Sequence, residues 1–235
     1  MTKINRKTLR LIATALCVVM IVLGGLIART AAALIEGDEA QLEMGMATLD
    51  VQLTENDTVV ADGTTEGKLF SALADTVIDP GYTYEENIAV RNSGASPEYV
   101  RVIIRKYWTD DSGKVTDAVS PESIELVTGS GWFENAAESS TEQSVYYCSR
   151  SLDAGTDSAP LFTGIRVNGK IADAFTIAED PADDKVLKAT FAYDGLSFNV
   201  EAEVQAIQYD HANEAAGSAW GITNIVFADG RVTLK

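Results

Sequence analysis

The sequence is poor in positive charge, in histidine and in cysteine, and each shortage excludes a class of protein. Lys and Arg number 18 against 35 Asp and Glu, and the resulting net charge of −17 excludes a generic binder of the nucleic-acid backbone. A single histidine, His211, excludes multi-histidine metal sites. Two cysteines, Cys17 and Cys148, exclude a disulfide framework and a four-cysteine zinc site. Because 46% of the residues are apolar, the chain is nevertheless expected to fold.

The first 33 residues have the layout of an export signal. Four basic residues precede an uncharged apolar run over residues 11–28, and the small residues Ala31, Ala32 and Ala33 follow it. This layout is typical of a signal peptide, with cleavage expected near Ala32 or Ala33. The apolar run is also long enough to remain as a membrane anchor if it is not cleaved. In both cases the rest of the chain is expected outside the cytoplasm, either secreted or associated with the cell surface.

Removal of this leader leaves a strongly acidic chain. The remaining 202 residues carry 13 basic and 35 acidic side chains, a net charge of −22. That length is sufficient for one globular domain without cross-links. The remaining thiol, Cys148, is expected to pack as a small apolar residue rather than to react.

Strict alternation of apolar and polar residues runs through the body of the chain and predicts β-strands. The alternating apolar sets are Leu49, Val51 and Leu53; Tyr84, Ile88 and Val90; Val100, Val102, Ile104 and Trp108; Leu187, Ala189, Phe191 and Tyr193; and Phe198, Val200, Ala202, Val204 and Ala206. Helical periodicity is confined to residues 65–76 and to a short segment at 213–219. The pattern predicts an all-β protein, an antiparallel β-sandwich of jelly-roll type with short helical insertions, over residues 47–235.

Pairs of turn-forming residues predict where the strands reverse. Two-residue hairpin turns are expected at Asn168-Gly169, Asp194-Gly195 and Asp229-Gly230, since these residues tolerate positive φ angles. A further turn at Pro80-Gly81 is expected to begin the strand that contains Tyr84.

Catalytic motifs are lacking, and the chain is therefore predicted not to be an enzyme. His211 follows an aspartate in a polar segment with no nucleophile motif beside it, and a dyad with Cys148 is not expected. The acidic segments at 110–111 and 179–184 have the hard oxygen ligands that Ca²⁺ takes, but no known calcium-loop pattern. We expect solvated charge there, and no cofactor or metal.

Four short segments, in order, resemble the camelysin/TasA family of exported fibre proteins of Gram-positive bacteria. The first segment is the apolar run ending Gly24-Gly25, with Thr30-Ala31-Ala32 at its close, and the second is the strand Ala47-Thr48-Leu49-Asp50-Val51. The third is Asp79-Pro80-Gly81 followed by Val90-Arg91-Asn92-Ser93-Gly94, and the fourth is the strand Tyr99-Val100-Arg101-Val102. Two departures are Ala47, where the family usually has Gly, and Leu34, where a Phe commonly follows the cleavage site.

The resemblance implies an exported structural protein that forms extracellular fibres or biofilm matrix. It implies a jelly-roll sandwich, processing by a signal peptidase of the SipW type, and the protein itself as its main partner, with a matrix polysaccharide or an accessory matrix protein as further partners. The metalloprotease label of camelysin is not carried over, because this chain has one histidine and no zinc motif.

Strand addition is the assembly mechanism that the sequence suggests. Residues 34–46, the arm, follow the leader, and Leu42, Met44 and Met46 would share one face of an extended chain. The apolar residues of the next segment stand at odd positions instead of even ones; they are Leu49, Val51 and Leu53. A break is therefore expected near Ala47, between a mobile donor strand and the first fixed strand. The arm either pairs with a neighbouring subunit, head to tail, or packs on its own subunit.

A cell-surface binding module or adhesin, recognising polysaccharide or protein, is the alternative function. Trp132 and Phe133 lie beside Gly131 and are the candidate exposed aromatic patch for such a ligand. Trp108 lies on an alternating strand and is expected to be buried in the core.

Overall fold

The computed structural model describes residues 49–74, 76–180 and 183–235, and only the backbone of residues 180 and 183–185. Its regular elements within these ranges are strands and one α-helix. In chain order they are β1 (Val51–Glu55), β2 (Thr58–Asp62), β3 (Gly67–Lys68), β4 (Thr83–Asn92), β5 (Glu98–Thr109), β6 (Val115–Thr116), β7 (Ile124–Thr128), β8 (Trp132–Glu134), β9 (Gln143–Cys148), β10 (Phe162–Val167), β11 (Phe175–Asp180), β12 (Asp183–Phe191), β13 (Ser197–Gln208), α1 (Ala212–Ala219), β14 (Ile225–Ala228) and β15 (Arg231–Leu234). Short 3₁₀ helices lie at Ser71–Leu73, Pro121–Ser123 and Gly169–Asp173.

Two antiparallel sheets form the main body. Sheet 1 has the strand order β2-β1-β4-β10-β7, and sheet 2 has the order β3-β13-β5-β9-β8, with β6 paired to the end of β5. The longest pairing joins β5 to β13 along all twelve residues of each strand. The predicted all-β antiparallel sandwich is therefore confirmed, while the jelly-roll topology stays a prediction.

The apolar alternation places the core between the two sheets. Leu53 and Val90 of sheet 1 and Ile104 and Val204 of sheet 2 have no exposed surface and belong to one core cluster. Each such side chain contributes roughly 1.5–3 kcal/mol through its burial. The faces predicted for β5 and β13 are thus confirmed, including the burial of Trp108, which is 4% exposed.

A second layer covers the outer face of sheet 2. Helix α1 and the β14–β15 hairpin contribute a separate buried cluster in which Phe227 and Val232 pack with Tyr99 and Tyr147. The predicted helix at 213–219 is confirmed. Sheet 2 is therefore buried on both faces where the second layer lies, which explains why β5 is apolar at five of the six positions from Tyr99 to Ile104.

One of the predicted hairpin turns is confirmed and two are wrong. Asp229 and Gly230 have φ angles of 51° and 71° and join the paired strands β14 and β15. At Asn168-Gly169 the chain instead enters a 3₁₀ helix, because the Asn168 side chain accepts a hydrogen bond from the N–H of Lys170 at 2.9 Å. Asp194-Gly195 is a turn, but the strands that it connects do not form a hairpin. Strand β12 pairs with β11, whereas β13 pairs with β3 and β5. A turn at Asn56-Asp57, with φ angles of 48° and 66°, was not predicted.

The helix predicted at 65–76 is wrong. The segment contains β3 and the short 3₁₀ helix Ser71–Leu73, and Phe70 between them has a φ of 60°, which interrupts an α-helix. Gly67 is required by a close approach of the backbone, since a Cβ there would lie 2.2 Å from the carbonyl oxygen of Val60.

The first strand also begins later than predicted: Leu49 lies before β1 and is 44% exposed, whereas Val51 and Leu53 are buried.

Candidate binding cleft

A cleft of about 510 Å³ opens at the end of the sandwich where β13 begins. We call it the β13 cleft. Its walls come from three places in the sequence: the loop that follows β3, the 3₁₀ helix after β10, and the turn between β12 and β13. The apolar side chains that line it include Leu73, Ile78, Ile171, Tyr193, Leu196 and Phe198. Polar side chains such as Ser71, Ser197 and Asn199 line it too, so the cleft suits an extended segment that has both apolar side chains and backbone polar groups.

The loop after β3 is held near its start by a buried contact. The N–H of Phe70 donates a hydrogen bond to the Glu55 carboxylate at 2.8 Å, and the Phe70 side chain is 2% exposed. Burial raises the pKa of Glu55. The hydrogen bond from Phe70 lowers this pKa, and the nearby charge of Glu86 raises it. Val77, further along the same loop, is 93% exposed. One end of the loop is thus anchored in the core, and the other forms an apolar rim.

Polar groups also face the β13 cleft. Lys68 and Asp194 are the charged residues in the described part of the lining. The indole N–H of Trp108 is directed to Ser120 and Ser123, at 3.3 Å from the carbonyl oxygen and 3.2 Å from the hydroxyl.

The β13 cleft runs beside a strand edge. Residues 197–200 of β13 line it, with β5 on their other side. Among the described residues, β3 pairs with β13 only at Glu201 and Ala202, and Leu69 donates to the carbonyl of Val200 at 2.9 Å. An extended segment entering the cleft would therefore continue the line of β3 along sheet 2.

The predicted exposed aromatic patch is wrong. Trp132 is 7% exposed, belongs to the core cluster and donates its indole N–H to the carbonyl of Ala159 at 2.9 Å. Phe133 is half-buried and stacks on Tyr147 with ring centroids 5.8 Å apart. Both residues lie on the short strand β8, whose two faces are covered by the core and by the second layer. The neighbouring Gly131 suggested a surface turn, but a glycine does not indicate which distant elements pack against the residues beside it.

Cys148 and His211 lie in different environments. Cys148 is buried in the core cluster, and burial raises the pKa of its thiol. His211 is exposed at the start of α1. Within the described ranges no group of three or more His, Cys, Asp and Glu side chains has the arrangement of a metal site. Asp110, in one of the acidic segments, accepts hydrogen bonds from Ser112 and Lys114 within its own turn.

The chain enters the sandwich at the end opposite the β13 cleft. The N–H of Asp50 donates to the buried Glu98 carboxylate at 3.2 Å, and the Asp50 carbonyl accepts from the N–H groups of Ser93 and Gly94. These contacts fix the residue that precedes β1. The cleavage residues Ala31, Ala32 and Ala33 and the donor-strand residues Leu42, Met44 and Met46 lie outside the described residues.

Sequence and structure comparisons returned no relatives. No family model matches the chain, and neither a curated protein nor a solved structure matches it. In the part of the chain that the structure describes, no helix has both the length and the apolar character needed to cross a membrane.

The β13 cleft itself was missed by the sequence prediction. Its wall at residues 69–78 had been assigned to a helix, and its other walls come from segments about 100 residues further along the chain. A local signal was nevertheless present, since Phe70, Leu73, Val77 and Ile78 are more apolar than a surface turn requires.

Proposed function

We propose that the protein is an exported structural protein, the subunit of extracellular fibres or of a biofilm matrix, which assembles by strand addition. The arm of one subunit enters the β13 cleft of the next and extends sheet 2. The observation that carries the proposal is the polarity of the sandwich: the chain enters at Asp50 at one end, and the apolar cleft with its strand edge opens at the other.

The distance between the two ends makes the contact head-to-tail. Glu98, which holds Asp50, and Trp108, which lines the β13 cleft, are ten residues apart on β5, or about 33 Å along the strand. A contact that joins opposite ends of identical subunits does not close on itself, so it generates filaments rather than dimers.

The energy of strand addition is favourable only if the backbone contributes. Insertion of four or five apolar side chains gains roughly 6–15 kcal/mol, whereas association and ordering cost roughly 4–15 kcal/mol. Hydrogen bonds between the arm and the strand edge supply the remainder. Leu42, Met44 and Met46 are the arm residues that match an apolar cleft.

The resemblance to the camelysin/TasA family supports the same role. In this proposal the protein is secreted or surface-associated, it has no enzymatic activity, and its partners are further copies of itself and a SipW-type peptidase that frees the arm. The alternative of a surface binding module for polysaccharide is less well supported, because the Trp132 side chain predicted to form its platform is buried.

Removal of the arm tests the proposal. A chain that starts at Ala47 should remain monomeric in size exclusion chromatography and electron microscopy, whereas one that starts at Leu34 should form filaments. Polymers of equal length from both chains would contradict it. A finer comparison keeps the arm and adds two charges to one of its two faces. Leu42→Asp/Met44→Asp changes the apolar face and should abolish filaments. The matched control Gln41→Asp/Gly45→Asp changes the other face and should retain them.

A further inference from the structure

The part of the chain that the structure describes has two hairpins outside the main sheets, and they differ in how their apolar residues are covered. In the β14–β15 hairpin, Phe227 and Val232 are 5% and 3% exposed because they pack on sheet 2. In the β11–β12 hairpin, Ile177 and Leu187 are 60% and 69% exposed. An isolated two-stranded hairpin is marginal in water, and an exposed apolar face commonly marks an interaction site.

Three exposed apolar residues of the β11–β12 hairpin, Phe175, Ile177 and Leu187, lie on one face, and Val186 is exposed on the other. Phe175 is opposite Phe191, Ile177 is opposite Ala189, and Leu187 is opposite Glu179 in the strand register. We call the apolar members of this face the hairpin stripe; they are Phe175, Ile177, Leu187, Ala189 and Phe191. Among the described residues β11 and β12 pair only with each other, so their outer edges are open as well.

The hairpin stripe continues into the β13 cleft. Phe175 and Phe191 have ring centroids 5.8 Å apart, and Phe191 stacks on Tyr193 at 5.2 Å. Tyr193 in turn lines the cleft beside Leu196 and Phe198. The stripe and the cleft therefore form one continuous apolar surface at the end of the sandwich that lies opposite Asp50.

We propose that the β11–β12 hairpin is the receiving element for the arm of a neighbouring subunit, which adds as a third strand at the open edge of β11, extends the hairpin stripe with its own apolar side chains and reaches into the β13 cleft. The inference rests on the proposed function and adds its acceptor surface. The arm has the necessary length: its thirteen residues span about 43 Å when extended, whereas the nine residues of β12 span about 30 Å.

Charge by itself does not favour the arm as the occupant. The arm contains four acidic residues and no basic one: Glu36, Asp38, Glu39 and Glu43. Around the acceptor surface, Lys68 and Lys170 are exposed and take part in none of the ion pairs between described residues, but Lys188 lies on the face of β12 opposite the hairpin stripe and Glu179 lies on the stripe face itself. The arm is therefore selected by its length and by its apolar face, and the repulsion between its acidic residues and the acceptor must be screened by salt.

Two substitutions on opposite faces of the hairpin test the role of the stripe. Ile177→Asp in the full-length, exported protein should lower the pelleted filament fraction about tenfold or more, because an apolar contact is replaced by a charge. Val186→Asp adds the same charge to the opposite face of β12, where Val186 is 46% exposed, and should leave assembly within about twofold of wild type. Wild-type assembly of Ile177→Asp would overturn the proposal.

Cross-linking identifies the occupant. Leu42→Cys, Met44→Cys and Met46→Cys are each combined with Ile177→Cys, and at least one pair should give a disulfide-linked ladder on non-reducing gels; the same arm cysteines with Val186→Cys should give none. Fibres without any ladder would overturn the arm as occupant while leaving the proposed function intact. Disulfide dimers from Ile177→Cys alone would indicate hairpin-to-hairpin pairing and overturn it too. Cross-links only within monomers, or no fibres from the unsubstituted protein, would reject both proposals.

Discussion

Glu98 is a carboxylate without exposed surface at the point where the chain enters the sandwich. One carboxylate oxygen accepts the N–H of Asp50, and the other has no hydrogen-bond partner among the described residues. Burial raises the pKa of Glu98 to about 7; the hydrogen bond from Asp50 lowers it, and the Asp50 charge raises it further. The ionised form is therefore unfavourable in the folded protein, and the residue responds to pH near neutrality.

Folding stability should rise as Glu98 becomes protonated. Its pKa is about 7 in the folded protein against 4.5 when unfolded, so the native state binds the proton more tightly between these values. The resulting stabilisation is complete below pH 4.5 and is lost as the pH rises through 7, and it amounts to at most about 3 kcal/mol. Urea unfolding of the chain that starts at Ala47 should show this slope, and Glu98→Gln should reduce it. Equal slopes in both proteins would contradict the assignment.

At the scale of elements, Arg101 connects strand β5 to the second layer. Its Nε donates to Gln205 at 2.8 Å, and its Nη1 donates to Glu138 at 2.8 Å and to the Tyr147 hydroxyl at 3.2 Å. Its guanidinium carbon lies 4.5 Å from the centroid of the Trp220 ring, which follows α1. The side chain of Arg101 is 8% exposed, so the network is largely removed from water.

Loss of Arg101 should be costly, and the chain offers a matched control on the same face of the same strand. Arg101→Ala leaves the Glu138 carboxylate without its partner in a poorly solvated site and should lower the free energy of unfolding by about 3–5 kcal/mol. Arg105→Ala removes ion pairs to Glu66 and Glu203 from a side chain that is 39% exposed, and should cost at most about 1 kcal/mol. Chemical denaturation measures both, and similar losses would refute a special role for Arg101.

At the scale of the whole molecule, charge opposes assembly. The chain without its leader has a net charge of −22, and repulsion between such subunits is screened over about 8–10 Å at ordinary ionic strength. Any contact between copies must overcome this repulsion, so the solvent decides whether the apolar surfaces meet.

Assembly should therefore be promoted by salt, by divalent cations and by acid pH. Light scattering of the chain that starts at Leu34 should rise when salt is added and when the pH falls from 7 to 4.5, since both changes weaken repulsion between subunits. The chain that starts at Ala47 is the control and should respond little. An unchanged signal under all these conditions would contradict the prediction.

Short-range patterns determined the strands of this protein. Alternation in β5 and β13 is a property of neighbouring residues, because successive side chains of a strand point to opposite faces, and both strands were predicted with the correct buried face. The Asp229-Gly230 turn was also predictable, since its positive φ angles depend on the two residues that form it. The net charge likewise follows from the sequence alone, and the export leader stays a prediction from it.

Only the tertiary structure decided which apolar faces are covered. The alternation in β12 predicted a buried face just as that in β13 did, yet Leu187 is 69% exposed and Val204 is completely buried. Trp132 was expected at the surface and is in the core, and the β13 cleft joins segments that are distant in the chain. Burial depends on what packs against a residue from elsewhere in the fold, and a local pattern contains no information about that neighbour.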